Sequence, residues 1–204
     1  IVNGVADPIQ DTLWYDTLPD FRQDSARVFS ANMTDPNTIW IDDYACHNYR
    51  YAKNPKSLGV VTFDGVSNDG YPYAWGAIDD YGYADVLTSK PINLAGKTNV
   101  FLSFLYQAKG FGNSPEGIDS LFLELYDPVN DIWYRSLDFA VGGDVTDDEW
   151  NTAHISITQS VLLVDGFQFR LRNKATLTGV LDHWHIDYVN LRDNSTAEDI
   201  VIDD

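Results

Sequence analysis

The segment 64–73, DGVSNDGYPY, combines closely spaced Asp and Asn residues with two glycines, and Asp85 follows a short distance along the chain. Carboxylate and amide oxygens on a flexible backbone are the hard ligands that calcium prefers. Asp, Asn and Gly are also good turn formers, and a tight loop without a metal explains the pattern equally well. The sequence leaves both alternatives open, with Asp64, Asp69 and Asp85 as candidate calcium ligands.

A second group with ligand chemistry lies in the segment 183–191, HWHIDYVNL. On a strand, His183 and His185 share one face and could bind zinc together with Asp187. No third histidine lies nearby in the sequence, so exposed strand histidines opposite Trp184 are the simpler interpretation. Asp187 is a carboxylate in an apolar strand pattern, which requires a cation or buried donors. It is therefore the fourth candidate calcium ligand.

Aromatic residues are dense beside the acidic loop, in YPYAW and DDYGY. Loop aromatics next to Asp and Asn can form a sugar-stacking platform, and Tyr and Trp are also over-represented at protein interfaces. A third alternative is that these rings fold back to cover one end of the domain. The candidate ligand-binding or partner-binding residues are Tyr71, Tyr73, Trp75, Tyr81 and Tyr83.

Catalytic motifs are absent from the sequence: it has no GxSxG, no HExxH and no phosphate-binding GxxxxGK. Retaining glycosidases require two carboxylates about 5 Å apart. Glu124 is the only Glu in a predicted strand, and no acidic residue lies two positions away from it. We therefore predict a protein without enzymatic activity and keep a glycan-active hydrolase as a remote alternative.

The charge of the chain limits its partners. Among 204 residues there are 31 acidic and 13 basic ones, which gives a formal net charge of −18. A protein that binds nucleic acid by neutralising phosphates needs a basic face, so nucleic acid is excluded as a partner. No apolar run approaches about 18 residues, and direct membrane insertion is not expected. Cys46 is the single cysteine, which excludes an internal disulfide.

The elements that must position these residues are strands. Apolar residues alternate with polar ones over most of the chain after residue 38, and the acids are Asp rather than the helix-forming Glu. About nine strands with little or no helix predict an all-β, antiparallel β-sandwich of the jelly-roll type. The predicted strands are 38–44, 59–63, 84–89, 99–107, 119–127, 132–138, 150–158, 166–173 and 183–191.

Composition divides the chain into three parts. Residues 1–37 are polar, without a clean period, and are predicted to form an N-terminal arm or linker that can add one strand to a sheet. Residues 38–193 are predicted to form the sandwich. Residues 194–204 read as an acidic C-terminal tail or linker.

The motif order from residue 57 to 191 resembles MAM-like, concanavalin A-like jelly-roll domains of secreted Bacteroidetes cell-surface proteins associated with gliding motility and type IX secretion. The resemblance rests on SLGVVTFDGVSNDGYPY, ADVLTSKPINL, VFLSFLYQAKG and the terminal DHWHIDYVNL. It implies a non-catalytic adhesion or interaction module with a structural cation near Asp64, Asp69, Asp85 and Asp187. Animal MAM domains have paired cysteines, and this chain departs from them because it has one.

Two functions follow as expectations. The first is an extracellular, calcium-stabilised module of an exported or outer-membrane-associated protein, located at the cell surface after removal of a signal peptide. Its partner would be a protein or cell-surface component, such as an outer-membrane secretion or motility complex. The second is a carbohydrate-binding module that holds a glycan on its loop aromatics.

Overall fold

The computed structural model describes residues 12–16, 39–42, 44–57, 59–142 and 148–198. Within these ranges every regular element is a β-strand. The described residues contain no helix that could cross a membrane. The strands are β1 (Thr12–Asp16), β2 (Cys46–Asn48), β3 (Val60–Phe63), β4 (Tyr81–Thr88), β5 (Val100–Ala108), β6 (Ser120–Asp127), β7 (Ile132–Gly142), β8 (Asn151–Ile157), β9 (Gln168–Thr176) and β10 (Trp184–Arg192).

The strands form two antiparallel sheets. The larger sheet has six strands, in the order β2-β3-β10-β5-β8, and β1 pairs with the half of β10 that β3 leaves unpaired. The smaller sheet has four strands, in the order β4-β9-β6-β7. Most neighbouring strands are distant in sequence, so both sheets depend on long-range pairing.

An apolar core fills the space between the sheets. Alternate side chains of a strand point to one face, and on β6 the inward ones are Leu121, Leu123 and Leu125, all buried. Burial of one such side chain contributes about 1.5–3 kcal/mol. Across the core, the rings of Phe104 and Phe139 meet edge to face with centroids 4.8 Å apart. The predicted all-β sandwich is confirmed.

Eight of the nine predicted strands correspond to β3 through β10, and the first one is wrong. Of the described residues in 38–44, Trp40 forms a single bridge with Ser89, and its indole packs edge-on against Phe169 in the core. The pattern there therefore reflects one buried side chain, that of Trp40, and not a strand that pairs along its length. The chain instead forms β2 a few residues later, where Cys46 lies opposite Thr62 of β3.

The ends of the chain are described in part. Strand β1 lies within the predicted arm 1–37 and pairs with β10, while the rest of that arm lies outside the described residues. In the predicted tail, the backbone N–H groups of Asn194 and Ser195 donate to the carbonyls of Thr98 and Asn99 at 3.0 and 3.1 Å. The start of the tail is therefore held beside the beginning of β5.

Candidate functional site

Three loops leave the sandwich at the same end, where β3, β5 and β9 finish and β4, β6 and β10 begin. Hydrogen bonds tie these loops together: the N–H of Ala74 donates to the carbonyl of Leu177 at 2.9 Å. The N–H of Asp182 donates to Oδ1 of Asn113 at 3.0 Å. We call this region the loop end, and it comprises residues 64–80, 109–119 and 177–183.

The first loop carries two exposed aromatic rings in mutual contact. Tyr71 and Trp75 are 62% and 76% exposed, and their ring centroids lie 5.9 Å apart at an interplanar angle of 66°. Ile78, on the same loop, is 98% exposed. Exposed apolar side chains that cluster in this way mark interaction sites more often than isolated ones do.

A tight turn presents the first of these rings. The N–H of Ser67 donates to the carbonyl of Tyr71 at 3.0 Å, and that of Gly70 to the carbonyl of Ser67 at 2.8 Å. Gly70 has a φ of +83°, a conformation that favours glycine. Asp69 accepts from the Ser67 hydroxyl and from the Tyr71 N–H. Asp69 therefore acts as a turn former, which was one of the two alternatives that the sequence left open.

A network of three buried residues, Asp64, Asp85 and Asn173, together with the hydroxyl of Tyr73, anchors the base of this loop. The Tyr73 hydroxyl donates to Oδ1 of Asp85 at 2.7 Å, and the Asp64 N–H donates to Oδ2 of Asp85 at 2.8 Å. The amide of Asn173 joins both acids, since its Oδ1 accepts from the Asp85 N–H and its Nδ2 donates to the Asp64 carbonyl. The loop therefore begins from a rigid base formed by β3, β4 and β9.

Burial controls the ionisation of this network. Desolvation raises the pKa of Asp64 to about 7, against a hydrogen bond from the Val66 N–H that lowers it. Burial also raises the pKa of Asp85 well above its usual range. The pKa of Tyr73 is raised by burial first and by the neighbouring Asp85 second. The neutral, protonated forms of these acids are therefore favoured in the folded protein.

The structure does not assemble the four predicted calcium ligands. Asp64 and Asp85 share the buried network, whereas Asp69 lies in the exposed turn. Asp187 accepts from the N–H and hydroxyl of Ser57 and from the N–H of Tyr188. Buried donors thus satisfy this strand carboxylate. Within the described ranges no group of three or more His, Cys, Asp or Glu side chains could hold a metal. The four carboxylates do not converge on one site, and calcium binding stays a prediction.

Chelation tests the remaining calcium prediction. We expect EDTA at neutral pH to leave the melting temperature unchanged, because protein donors already satisfy the three buried carboxylates. A cation that binds only the folded state must raise the melting temperature. A fall on addition of EDTA that calcium reverses would contradict our expectation and indicate a site outside the four Asp residues.

The two strand histidines are structural. Nε2 of His185 donates to the Lys109 carbonyl at 3.2 Å, which leaves Nδ1 to accept from the Thr62 hydroxyl at 2.8 Å. Burial lowers the pKa of His185 to about 3. Nδ1 of His183 accepts from the Asn113 N–H at 2.9 Å. Both rings are buried, so the interpretation as exposed strand residues is wrong. The described residues contain no group of three His, Cys, Asp or Glu side chains that could hold zinc with Asp187.

The five predicted binding aromatics separate into different environments. Tyr71 and Trp75 form the exposed pair, and Tyr73 turns its hydroxyl inward to Asp85. The Tyr81 hydroxyl donates to the carbonyl of Ile118 and thus joins two loops. Tyr83 points away from the core on the outer face of the four-stranded sheet. The predicted platform is therefore reduced to two rings.

Sequence reasoning missed two features of the surface. The first is the set of exposed apolar residues on the other two loops, among them Phe111, Ile118 and Val180, which are 70%, 69% and 44% exposed. The second is a set of cations on the outer face of the four-stranded sheet. The alternation of residues 166–173 predicts that Arg170 and Arg172 point away from the core. It does not indicate which residues the neighbouring strands place beside them.

Three carboxylates of the sandwich, Glu124, Asp119 and Asp182, are engaged or buried. Glu124 accepts from Arg170 and lies 3.6 Å from Arg172. Asp119 and Asp182, at the loop end, are 3% and 2% exposed. A polymeric substrate cannot reach Asp119 or Asp182, so these two acids cannot act as a glycosidase pair.

A groove of about 520 Å³ lies elsewhere on the molecule, lined by residues such as Thr98, Phe101, Ser156 and Thr196. The Phe101 ring already stacks on His154, with centroids 4.6 Å apart and an interplanar angle of 11°. The groove therefore offers a less open aromatic surface than the loop end does.

No family model matches the sequence, and no curated protein matches it. Among solved structures, the chain is similar to the CBM22-1–GH10 modules of Clostridium thermocellum xylanase 10B in complex with xylohexaose, at 12% identity over 94% of this chain, with a TM-score of 0.47. It is similar to carbohydrate-binding modules of the β-sandwich superfamily at 11% identity over 72% of this chain, with a TM-score of 0.41. It spans only 30% and 52% of those two chains.

A third similar structure is CBM27-1 of Caldicellulosiruptor saccharolyticus in complex with mannohexaose. The identity is 10% over 81% of this chain and 91% of that chain, with a TM-score of 0.42. At such identities and TM-scores, these likenesses assign no ligand to this chain.

Proposed function

We propose that this chain is a non-catalytic carbohydrate-binding module that acts outside the cell and holds its glycan at the loop end. The observation that carries the proposal is the pair Tyr71 and Trp75, two rings in contact and 62% and 76% exposed to solvent. The apolar C–H face of a sugar ring packs on such a surface, and the polar edge of the sugar then needs hydrogen-bonding neighbours.

The loop supplies those neighbours. Asn68, Asp79 and Asp80 are exposed on the same segment as the two rings. Their amide and carboxylate groups can bind sugar hydroxyls, which both donate and accept hydrogen bonds.

Preorganisation supports the same function. The loop is held by the bond of Tyr73 to Asp85 and by the bond from Ala74 to Leu177. A surface that is already ordered loses less conformational entropy when a ligand binds, so more of the contact energy contributes to affinity.

A glycan array followed by calorimetric titration of the best ligand tests this function. Trp75→Ala is expected to weaken binding by about 30-fold or more, since an aromatic anchor commonly contributes about 2 kcal/mol. Tyr134→Ala is the matched control, because Tyr134 is also an exposed aromatic residue, 44% exposed. It lies on β7 opposite Leu125, near the end of β6 that is far from the loop end. Absence of saturable binding to any glycan, or equal affinity of Trp75→Ala and the unchanged protein, would contradict the proposal.

The exposed aliphatic residues favour a second candidate, a protein or cell-surface partner such as an outer-membrane secretion or motility complex. Ile78, Ile118 and Val180 offer no ring for sugar stacking, and Ile78 is 98% exposed. Under this alternative, the chain would bind no glycan on the array and would co-purify with a stoichiometric partner. The variant Ile78→Asp would lose that partner.

A further inference from the structure

The outer face of the four-stranded sheet brings together cations from two parts of the chain, β7 and β9. Register places Lys174 opposite Tyr83, and Arg135 beside Glu124. We call this surface the cationic face. It is built around Tyr83, Trp133, Arg135, Arg170, Arg172 and Lys174.

Each cation of this face lies over an aromatic ring. A guanidinium on a ring gains a cation–π attraction and is held flat, with its N–H edge directed sideways. The distances from cation to ring centroid are 4.1 Å for Arg170 over Trp133, 4.1 Å for Arg172 over Tyr83, 4.3 Å for Arg135 over Phe122 and 4.9 Å for Lys174 over Tyr83.

The charge of this face is opposite to that of the whole chain. The protein has 13 basic against 31 acidic residues, yet four of the basic ones lie here. Among the outward side chains described on this sheet, Glu124 is the acidic one, and it is bonded to Arg170. A positive surface on an acidic protein attracts anionic ligands locally while the rest of the surface repels them.

The covered rings set this face apart from the loop end. The cations over Trp133 and Tyr83 occupy ring faces on which a neutral sugar would stack. What the face presents instead is guanidinium and ammonium donors, which bind carboxylates through charge-assisted hydrogen bonds. Arg170, Arg172 and Lys174 follow each other at every second residue of β9, so they form a row with a spacing of about 7 Å.

We infer that the cationic face binds an acidic polysaccharide through the carboxylates of its uronic acid units. A linear chain with carboxylates along its length matches a row of cations along a strand. Nucleic acid matches less well, because its higher charge density is repelled by a protein with a net charge of −18. The inference goes beyond the proposed function, since it concerns a different surface with a different recognition chemistry.

Titration with an oligomer of galacturonic acid tests the inference, and the same oligomer with methyl-esterified carboxyls serves as the neutral comparison. Lys174→Gln and Arg135→Gln are each expected to weaken binding by about tenfold, the effect of losing one hydrogen bond to a charged group. The matched control is Lys56→Gln, which removes the same charge from an exposed position near Ser57, a residue bonded to the other sheet.

The supporting result is saturable binding of the acid oligomer that weakens with added salt, is lost on esterification and is unchanged in Lys56→Gln. Trp75→Ala should keep this binding, so failure of the proposed function and failure of this inference are distinguishable. Melting temperatures of the variants show whether each one is folded. No binding, equal binding of the ester, an equal loss in Lys56→Gln, or tighter binding of single-stranded DNA would overturn the inference.

Discussion

Replacement of Gly65 by alanine is expected to lower the free energy of unfolding by about 3 kcal/mol, the upper part of the range for overpacking. A Cβ added at Gly65 would lie 1.9 Å from the Thr176 carbonyl oxygen and 2.6 Å from that of Gly179. Both atoms belong to the backbone, so no side-chain rotation can relieve the contact. The end of β9 and the first loop must therefore move apart.

The same displacement should weaken glycan binding at the loop end. The Gly65 carbonyl accepts from the Tyr73 N–H at 3.3 Å, and that bond helps to hold the base of the loop on which Trp75 lies. Urea unfolding and glycan titration of the same preparation measure the two effects.

Gly179→Ala is the matched control for this prediction. An added Cβ at Gly179 meets no atom within 4 Å, and we expect its unfolding free energy to stay within about 0.5 kcal/mol of the starting value. Equal urea midpoints for Gly65→Ala and Gly179→Ala would show that the close approach at Gly65 is relieved without cost.

The second large effect is a contribution from Asp64 that lowers stability as the pH rises from about 4 to about 7. Burial raises the pKa of Asp64 from 3.8 to about 7 in the folded protein. In this window the folded state keeps a proton that the unfolded chain has released, so rising pH favours unfolding. The stability that protonated Asp64 contributes is fully present below its pKa in the unfolded chain. It is lost as the pH rises through its pKa in the folded protein. At about 1.4 kcal/mol per pKa unit, the change is at most about 4 kcal/mol.

Two other carboxyl groups act in the same direction. Burial raises the pKa of Asp85 well above its usual range and that of Asp119 to about 6. Opposite contributions come from Asp127, whose pKa is lowered first by its hydrogen bond from Asn130, and from buried histidines such as His185, whose pKa burial lowers to about 3. The stabilisation from these groups is lost when the pH falls, so the Asp64 contribution is measured by comparison with a variant that lacks it.

Urea unfolding between pH 4.5 and pH 8, with EDTA present, measures this dependence. Asp64→Asn removes the ionisable group while its amide oxygen can still accept from the Val66 N–H, so its stability relative to the unchanged protein should rise between pH 4.5 and pH 8. Asp79→Asn removes one exposed charge and should keep the pH dependence of the unchanged protein. An equal pH dependence of Asp64→Asn and the unchanged protein would contradict the prediction.

The sequence indicated which loop carries the aromatic residues, but not the direction in which each ring points. The aromatic and acidic residues of the segment 64–83 indicated a binding loop, and Trp75 is indeed exposed. Tyr73, two residues earlier, is instead directed to Asp85. In an irregular loop no two-residue period links sequence to side-chain direction, so a hydrogen bond formed across 12 residues decides where the Tyr73 hydroxyl points.

The sequence by itself determined the strand pattern and, through it, the fold class. Alternation along 119–127 and 166–173 sets which side chains point inward whatever the neighbouring strand is, because the pleat is a local property of the backbone. The tertiary structure alone decided which strands are neighbours. Pairing of β4 with β9 joined Asp85 to Asn173, and pairing of β6 with both β7 and β9 brought Arg135 and Arg170 to one face. Such pairings depend on how the whole core packs, which no short segment encodes.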